Sequence, residues 1–120
     1  MHNFRELIVW QKSRMLVKDI YTLTASFPKS ELYSLVNQMR RSAVSIPSNI
    51  AEGSGHKSAK EFCRYLEIAN SSSLELETQI YLSLDLSFIN EAEFESILKK
   101  IHEIQKMIFS LERKVQADKI

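Results

Sequence analysis

The sequence holds few residues that interrupt a helix and few that bind a metal. Of 120 residues, two are glycine, two are proline and one is cysteine. A lone Cys63 excludes a disulfide framework within the chain and fits a reducing compartment. With three histidines beside it, the ligand set is too small for a structural zinc site. No apolar run approaches the ~20 residues that cross a bilayer. The first apolar stretch, residues 7–10, is followed at once by charge, which is not a signal-peptide layout. A cytoplasmic protein with no membrane contact is therefore expected. Net charge is only +1, so the molecule as a whole is no polycation. Asn-Gly and Asp-Gly hairpin signals are missing, as is strict alternation over a strand length.

What is present is a globular composition, 44% hydrophobic, too rich for a disordered chain. The length suits one domain, residues 1–120, able to bury a real core. Sparse breakers and three- and four-residue apolar spacing predict four helices. The first begins between residues 4 and 7 and ends at 26, with Leu7, Trp10, Leu16 or Val17, Ile20, Leu23 and Phe27 on one face; Pro28 stops it. The second covers about 31–52. Its N-cap is Ser30, its stripe is Leu32, Val36, Met39, Ala43, Ile46 and Ile50, and a left-handed Gly53 closes it.

The third helix starts from a Ser58/Glu61 capping box and buries Phe62, Leu66, Ala69, Ser73, Leu76, Ile80 and Leu84, ending near 87–89. The fourth starts from Asn90 and Glu93, runs on the seam Phe94, Ile97, Ile101, Ile104, Ile108, Leu111 and Val115, and frays after Gln116. Short connections make neighbours antiparallel, so the expected fold is all-α, an up-down-up-down four-helix bundle. Pro47 lies inside the second seam, where it removes a hydrogen bond and crowds the Ala43 carbonyl, so a kink near residues 43–47 is expected. Ser45, Ser48 and Asn49 are local donors for the freed carbonyls.

More apolar residues are present than one seam per helix needs. Ile8, Val9, Met15 and Tyr21 lie off the first seam, and Tyr65, Ile68, Tyr81, Leu82, Leu86, Ile89, Leu98, Met107 and Phe109 lie off the third and fourth. Either the core stripes are wide, or the flanks bind further copies of the chain.

Charge is unevenly placed. Residues 1–64 carry ten basic and five acidic side chains, residues 65–95 seven acidic and no basic ones, and residues 96–120 six basic and three acidic. Arg40, Arg41, Lys57, Lys60 and Arg64, with His56, form a basic set around the second turn. That set either meets the phosphates of RNA or DNA or pairs inside the chain, with Glu75 or Glu67 opposite Arg40 and Arg41. The asymmetry also suits head-to-side assembly of identical subunits.

Catalytic patterns are missing. None of the histidines closes a Glu-x-x-His pair, the Gly-Ser-Gly turn lacks the phosphate-loop frame, and no nucleophile–base–orienter set shows by spacing. Cys63 beside Lys60 and Arg64 reads as a structural thiol rather than a reactive one. A non-enzymatic protein without cofactor or metal is expected.

Three stretches, FRELIVWQKSRMLVKDIY, FPKSELYSLVNQMRRSAVSIPSNIAEG and SAKEFCRYLEIANSSSLELETQI, resemble the bacterial four-helix-bundle family known as the intervening-sequence or S23 family. Members are encoded in insertions of large-subunit ribosomal RNA genes or elsewhere in bacterial genomes. The resemblance covers about residues 4–90, with SIPSNIAEG its most specific part and the fourth helix agreeing in pattern only. It implies a four-helix bundle assembled as a ring-like homopentamer. It also implies similarity to the accessory variability determinant of diversity-generating retroelements, a basic pentameric barrel that partners a reverse transcriptase and nucleic acid. Arg40, Arg41, Asn49, Glu52 and Glu75 match the family's characteristic polar positions, with no catalytic role attached to any of them. The near-neutral net charge departs from a strong nucleic-acid binder.

Overall fold

The computed structural model describes residues 3–118. Among these, four α-helices form an antiparallel bundle of 50 × 24 × 20 Å. They are α1 (Ile8–Thr24), α2 (Asn37–Ser54), α3 (Ala59–Asp85) and α4 (Glu91–Asp118). Each packs on its chain neighbour, and α4 returns to α1 to close the ring. The α2–α3 contact is the most extensive and the α1–α4 contact the thinnest.

The core is the set of stripes that periodicity predicts. Leu16, Ile20, Met39, Ala43, Ile46, Ile50, Phe62, Leu66, Ala69, Leu76, Ile80, Ile101, Ile104 and Ile108 are essentially inaccessible. Val9 and Ile89, expected off the seams, are also buried. The seam of α1 runs through polar positions too, since Ser13 and Thr24 are buried. Their hydroxyls donate to Trp10 and Ile20 carbonyls one turn back, at 2.9 and 2.8 Å, so no buried donor is left open.

The helix starts differ from expectation in two places. Phe4–Glu6 is a separate 3₁₀ turn capped by Asn3, and an extended Leu7 delays α1 to Ile8. Ser30 is no N-cap. Pro28 instead leads into a 3₁₀ turn, Lys29–Glu31, then a π-helical turn, Leu32–Val36, before α2 proper. The wider π turn shifts the face, leaving Leu32 exposed while Val36 stays buried. As the seam predicts, α2 continues through Pro47, and it ends at Ser54, two residues past the expected end. Asn49 Nδ2 and Ser45 Oγ do not turn to the carbonyl of Ala43. They bond the Ser45 carbonyl, each other and Ser72 at 2.8–2.9 Å.

Gly53 is not left-handed; no glycine has positive φ among the described residues. It is buried inside α2, and a Cβ there would stand 2.6 Å from Tyr65 Cβ. The close approach of α2 and α3, rather than a turn, is what requires glycine at this position. The left-handed residue is Ser87, φ 62°, just past α3. Around it Ser87 N–H donates to Leu84 O at 3.0 Å and Phe88 N–H to Ser83 O at 2.9 Å, the double-bonded Schellman ending. A side chain at left-handed φ is strained, and glycine removes that strain. Ser87→Gly is therefore expected to stabilise the bundle by about 1 kcal/mol, read as a higher urea midpoint at unchanged slope.

The capping box at α4 forms in full and the one at α3 by half, since the Glu61 carboxylate is turned to Arg64 instead of the Ser58 N–H. Glu61 N–H donates to Ser58 Oγ at 3.3 Å. At α4, Asn90 N–H donates to Glu93 Oε1 at 3.0 Å and Glu93 N–H to Asn90 Oδ1 at 2.8 Å. No helix among the described residues is long and apolar enough to cross a membrane.

Candidate nucleic-acid interface

The basic residues singled out in the sequence fall at two places. Lys57 sits in the α2–α3 turn, Lys60 in the first turn of α3 and Arg64 one turn later. Arg40 and Arg41 lie thirteen and more residues before the end of α2, about 20 Å down the helix axis at 1.5 Å per residue. The five residues form no single patch.

Their local partners differ as well. Arg40 faces α1, where Nε donates to Thr24 Oγ1 at 3.1 Å and the guanidinium lies 4.5 Å from the Tyr21 ring centre. Arg64 binds Glu61 at 3.3 Å and lies 4.5 Å from the Tyr65 ring, on which His56 also stacks at 5.0 Å. The Arg64 hydrogen bond is the main reason why the Glu61 carboxyl is held below the usual carboxylate range. Arg41, Lys57 and Lys60 are exposed and have no ion partner among the described residues.

The pairing of Arg40 and Arg41 with the acidic stretch does not form. Glu75 accepts from Ser42 Oγ at 2.7 Å. Glu67 faces Glu112. Glu52 is exposed near the end of α2. Glu75 and Asn49 belong instead to a polar row along the α2–α3 seam, with Ser42, Ser45 and Ser72. The row continues to Gln79, whose Oε1 is buried without a partner. The sequence shows this row only as serines three and four apart. The sequence marks Tyr21 only as an apolar residue off the first seam and Thr24 not at all, and neither as a partner of Arg40.

Two ion pairs and a hydrogen-bonded cluster around Glu77 tie α4 to its neighbours. Lys12–Glu103 and Lys100–Asp19, both 2.9 Å, bridge α1 and α4. Glu77 on α3 accepts from Gln105 at 2.9 Å and lies 3.2 Å from His102 Nε2. The Gln105 bond, helped by His102, lowers the Glu77 pKa against the opposing effect of burial. Cys63 is buried beside the Glu112 carbonyl, 3.8 Å away. Among the described residues, no group of three His, Cys, Asp or Glu side chains is arranged to hold a metal.

Glu112 is shifted the other way. Partial burial, then the neighbouring Glu67 carboxylate, raises its pKa. A carboxyl whose folded pKa exceeds its unfolded one favours the fold at low pH and loses that contribution as pH rises through the folded value. Glu112→Gln should thus raise the thermal midpoint at neutral pH. The gain should vanish below the ordinary carboxylate range, where Glu112 is protonated in folded and unfolded chains alike.

Comparison with known proteins bears on this arrangement. A family model described as 23S rRNA-intervening sequence protein matches residues 5–110. The chain belongs to that family. The match extends well into α4, beyond the portion in which the sequence resembles the family most closely. A solved structure is also similar: a protein of unknown function from the S23 ribosomal protein family of Bacteroides thetaiotaomicron. It is 27% identical over 88% of this chain and 98% of its own length, with a TM-score of 0.79. No relative among curated proteins matches. The four-helix architecture is shared with that relative, and in this chain Arg41, Lys57 and Lys60 are the exposed cations of the basic set that have no ion pair among the described residues.

Proposed function

We propose that this intervening-sequence family member is a non-enzymatic, cytoplasmic bundle that self-associates, as a pentamer, and binds structured RNA or DNA through a basic surface. The observation that carries the reading is that Arg41, Lys57 and Lys60 stand in solvent and form no ion pair among the described residues. Unpaired cations gain most from releasing the counterions of a phosphate backbone. Self-association multiplies such modest patches into one strong surface. Support for it comes from large apolar side chains left in solvent, among them Tyr33 at 89%, Met15 at 57% and Leu86 at 55%.

The test combines sedimentation mass with salt-dependent binding to a structured RNA. An assembled mass is expected, and Arg41→Glu with Lys60→Glu should weaken binding by roughly tenfold or more at low salt and flatten the salt slope. A wild-type protein that binds neither RNA nor DNA at low salt ends the nucleic-acid reading; a monomer ends the assembly.

The near-neutral charge of +1 favours a second reading, an adaptor for a protein encoded nearby, such as a reverse transcriptase, without direct nucleic-acid contact. In that case Arg41→Glu changes the sedimentation mass while leaving RNA affinity where it was.

A further inference from the structure

The seam of α4 buries one side of the helix, and the opposite side has a pattern of its own. Lys99, His102, Lys106, Phe109 and Arg113 follow at steps of three and four residues. They therefore line up along α4 over about 21 Å. Lys99, Lys106 and Arg113 are exposed, and none has an ion partner among the described residues. Phe109 is 61% accessible, with the Arg113 guanidinium 5.8 Å from its ring centre.

The nearby acids are engaged elsewhere. Glu103 is held by Lys12 across the α1–α4 seam, and Glu112 turns toward Glu67 and away from this face. His102 leans to Glu77. Two acids, Glu95 and the Lys12-paired Glu103, line a shallow depression of about 530 Å³ together with Leu98, Lys99, His102 and Lys106. An aromatic ring set in a row of unpaired cations meets two needs of one ligand. The cations suit phosphates, and the ring face suits a base that is not stacked in a duplex.

We propose that the outer face of α4 is a track for single-stranded nucleic acid, with phosphates at Lys99, Lys106 and Arg113 and a base stacked on Phe109. This rests on the nucleic-acid reading above but places the single-strand contact on α4, away from the α2–α3 turn.

The experiment is fluorescence anisotropy of the full chain at low salt, with a labelled oligouridylate and a duplex of equal length. Phe109→Ala should weaken the single strand by about tenfold and the duplex little, since stacking on one aromatic is worth that much. Phe109→Trp should restore it. Lys106→Glu should weaken both and lower the single-strand salt slope by about 0.7. If Phe109→Ala and Lys106→Glu leave oligouridylate binding intact while Lys60→Glu removes it, the track is wrong and the broader reading survives. If wild-type protein binds neither probe, both fall. If Phe109→Ala instead lowers the sedimentation mass, the face is a subunit contact and the track is overturned.

Discussion

Gly53→Val is expected to destabilise the bundle by about 3 kcal/mol, the upper end of what overpacking usually costs. The first atom of the new side chain would sit 2.6 Å from Tyr65 Cβ, 3.1 Å from Phe62 Cδ1 and 3.3 Å from the Phe62 carbonyl oxygen. Two of these three atoms are a Cβ and a backbone oxygen, which no rotamer change moves aside. The helices have to part along their most extensive contact. Gly53→Ala brings the same Cβ and is offset by about 1 kcal/mol of helix propensity, so it should fall between wild type and valine. Gly55 is the internal control. Its φ is −79°, and an added Cβ meets only the Glu52 carbonyl at 3.4 Å. Gly55→Ala should leave urea-induced unfolding unchanged or slightly raise its midpoint. Equal tolerance at both glycines would contradict the close α2–α3 approach.

Ile101→Ala should cost a similar amount by the opposite route, about 3–4 kcal/mol of lost burial and residual cavity. Ile101 is wholly inaccessible on the α4 seam. Met15→Ala, at a position 57% accessible beside the α1–α4 groove, removes as many heavy atoms, two carbons and a sulfur, from a side chain that still meets water. It should change stability by less than about 1 kcal/mol. Chemical denaturation of the two variants compares them directly, and an exposed methionine that matters as much as the isoleucine would mean that the groove is covered in solution.

The seams of α3 and α4 were legible because apolar side chains repeat there without interruption and serine or asparagine caps precede them. Ile97, Ile101, Ile104 and Ile108 can face the core in only one way. In α1 the buried face passes through Ser13 and Thr24, whose back-bonded hydroxyls are as well satisfied inside as out. Polarity alone therefore pointed to a neighbouring face, and Val9 was misplaced. The start of α2 was hidden for a different reason: a π turn breaks the 3.6-residue period on which any stripe is read. Gly53 carried a correct signal with the wrong cause, since a glycine at the end of a helix reads equally as a turn or as a close contact. As for the candidate interface, residue type located the cations, but their availability depended on long-range partners. Arg40 is occupied by Tyr21 and Thr24, sixteen and more positions away, while its neighbour Arg41 is not.

The thin junction between α1 and α4 also has a dynamic meaning. Two solvent-exposed ion pairs span it, and an open groove of about 470 Å³ reaches the core at Ile104. Exposed pairs hold little, so the first helix, held chiefly by its packing on α2, is expected to detach most cheaply, leaving α2, α3 and α4 as a residual three-helix unit. In a hydrogen-exchange measurement, amide protons of α1 should then exchange through local opening and those of α3 only through global unfolding.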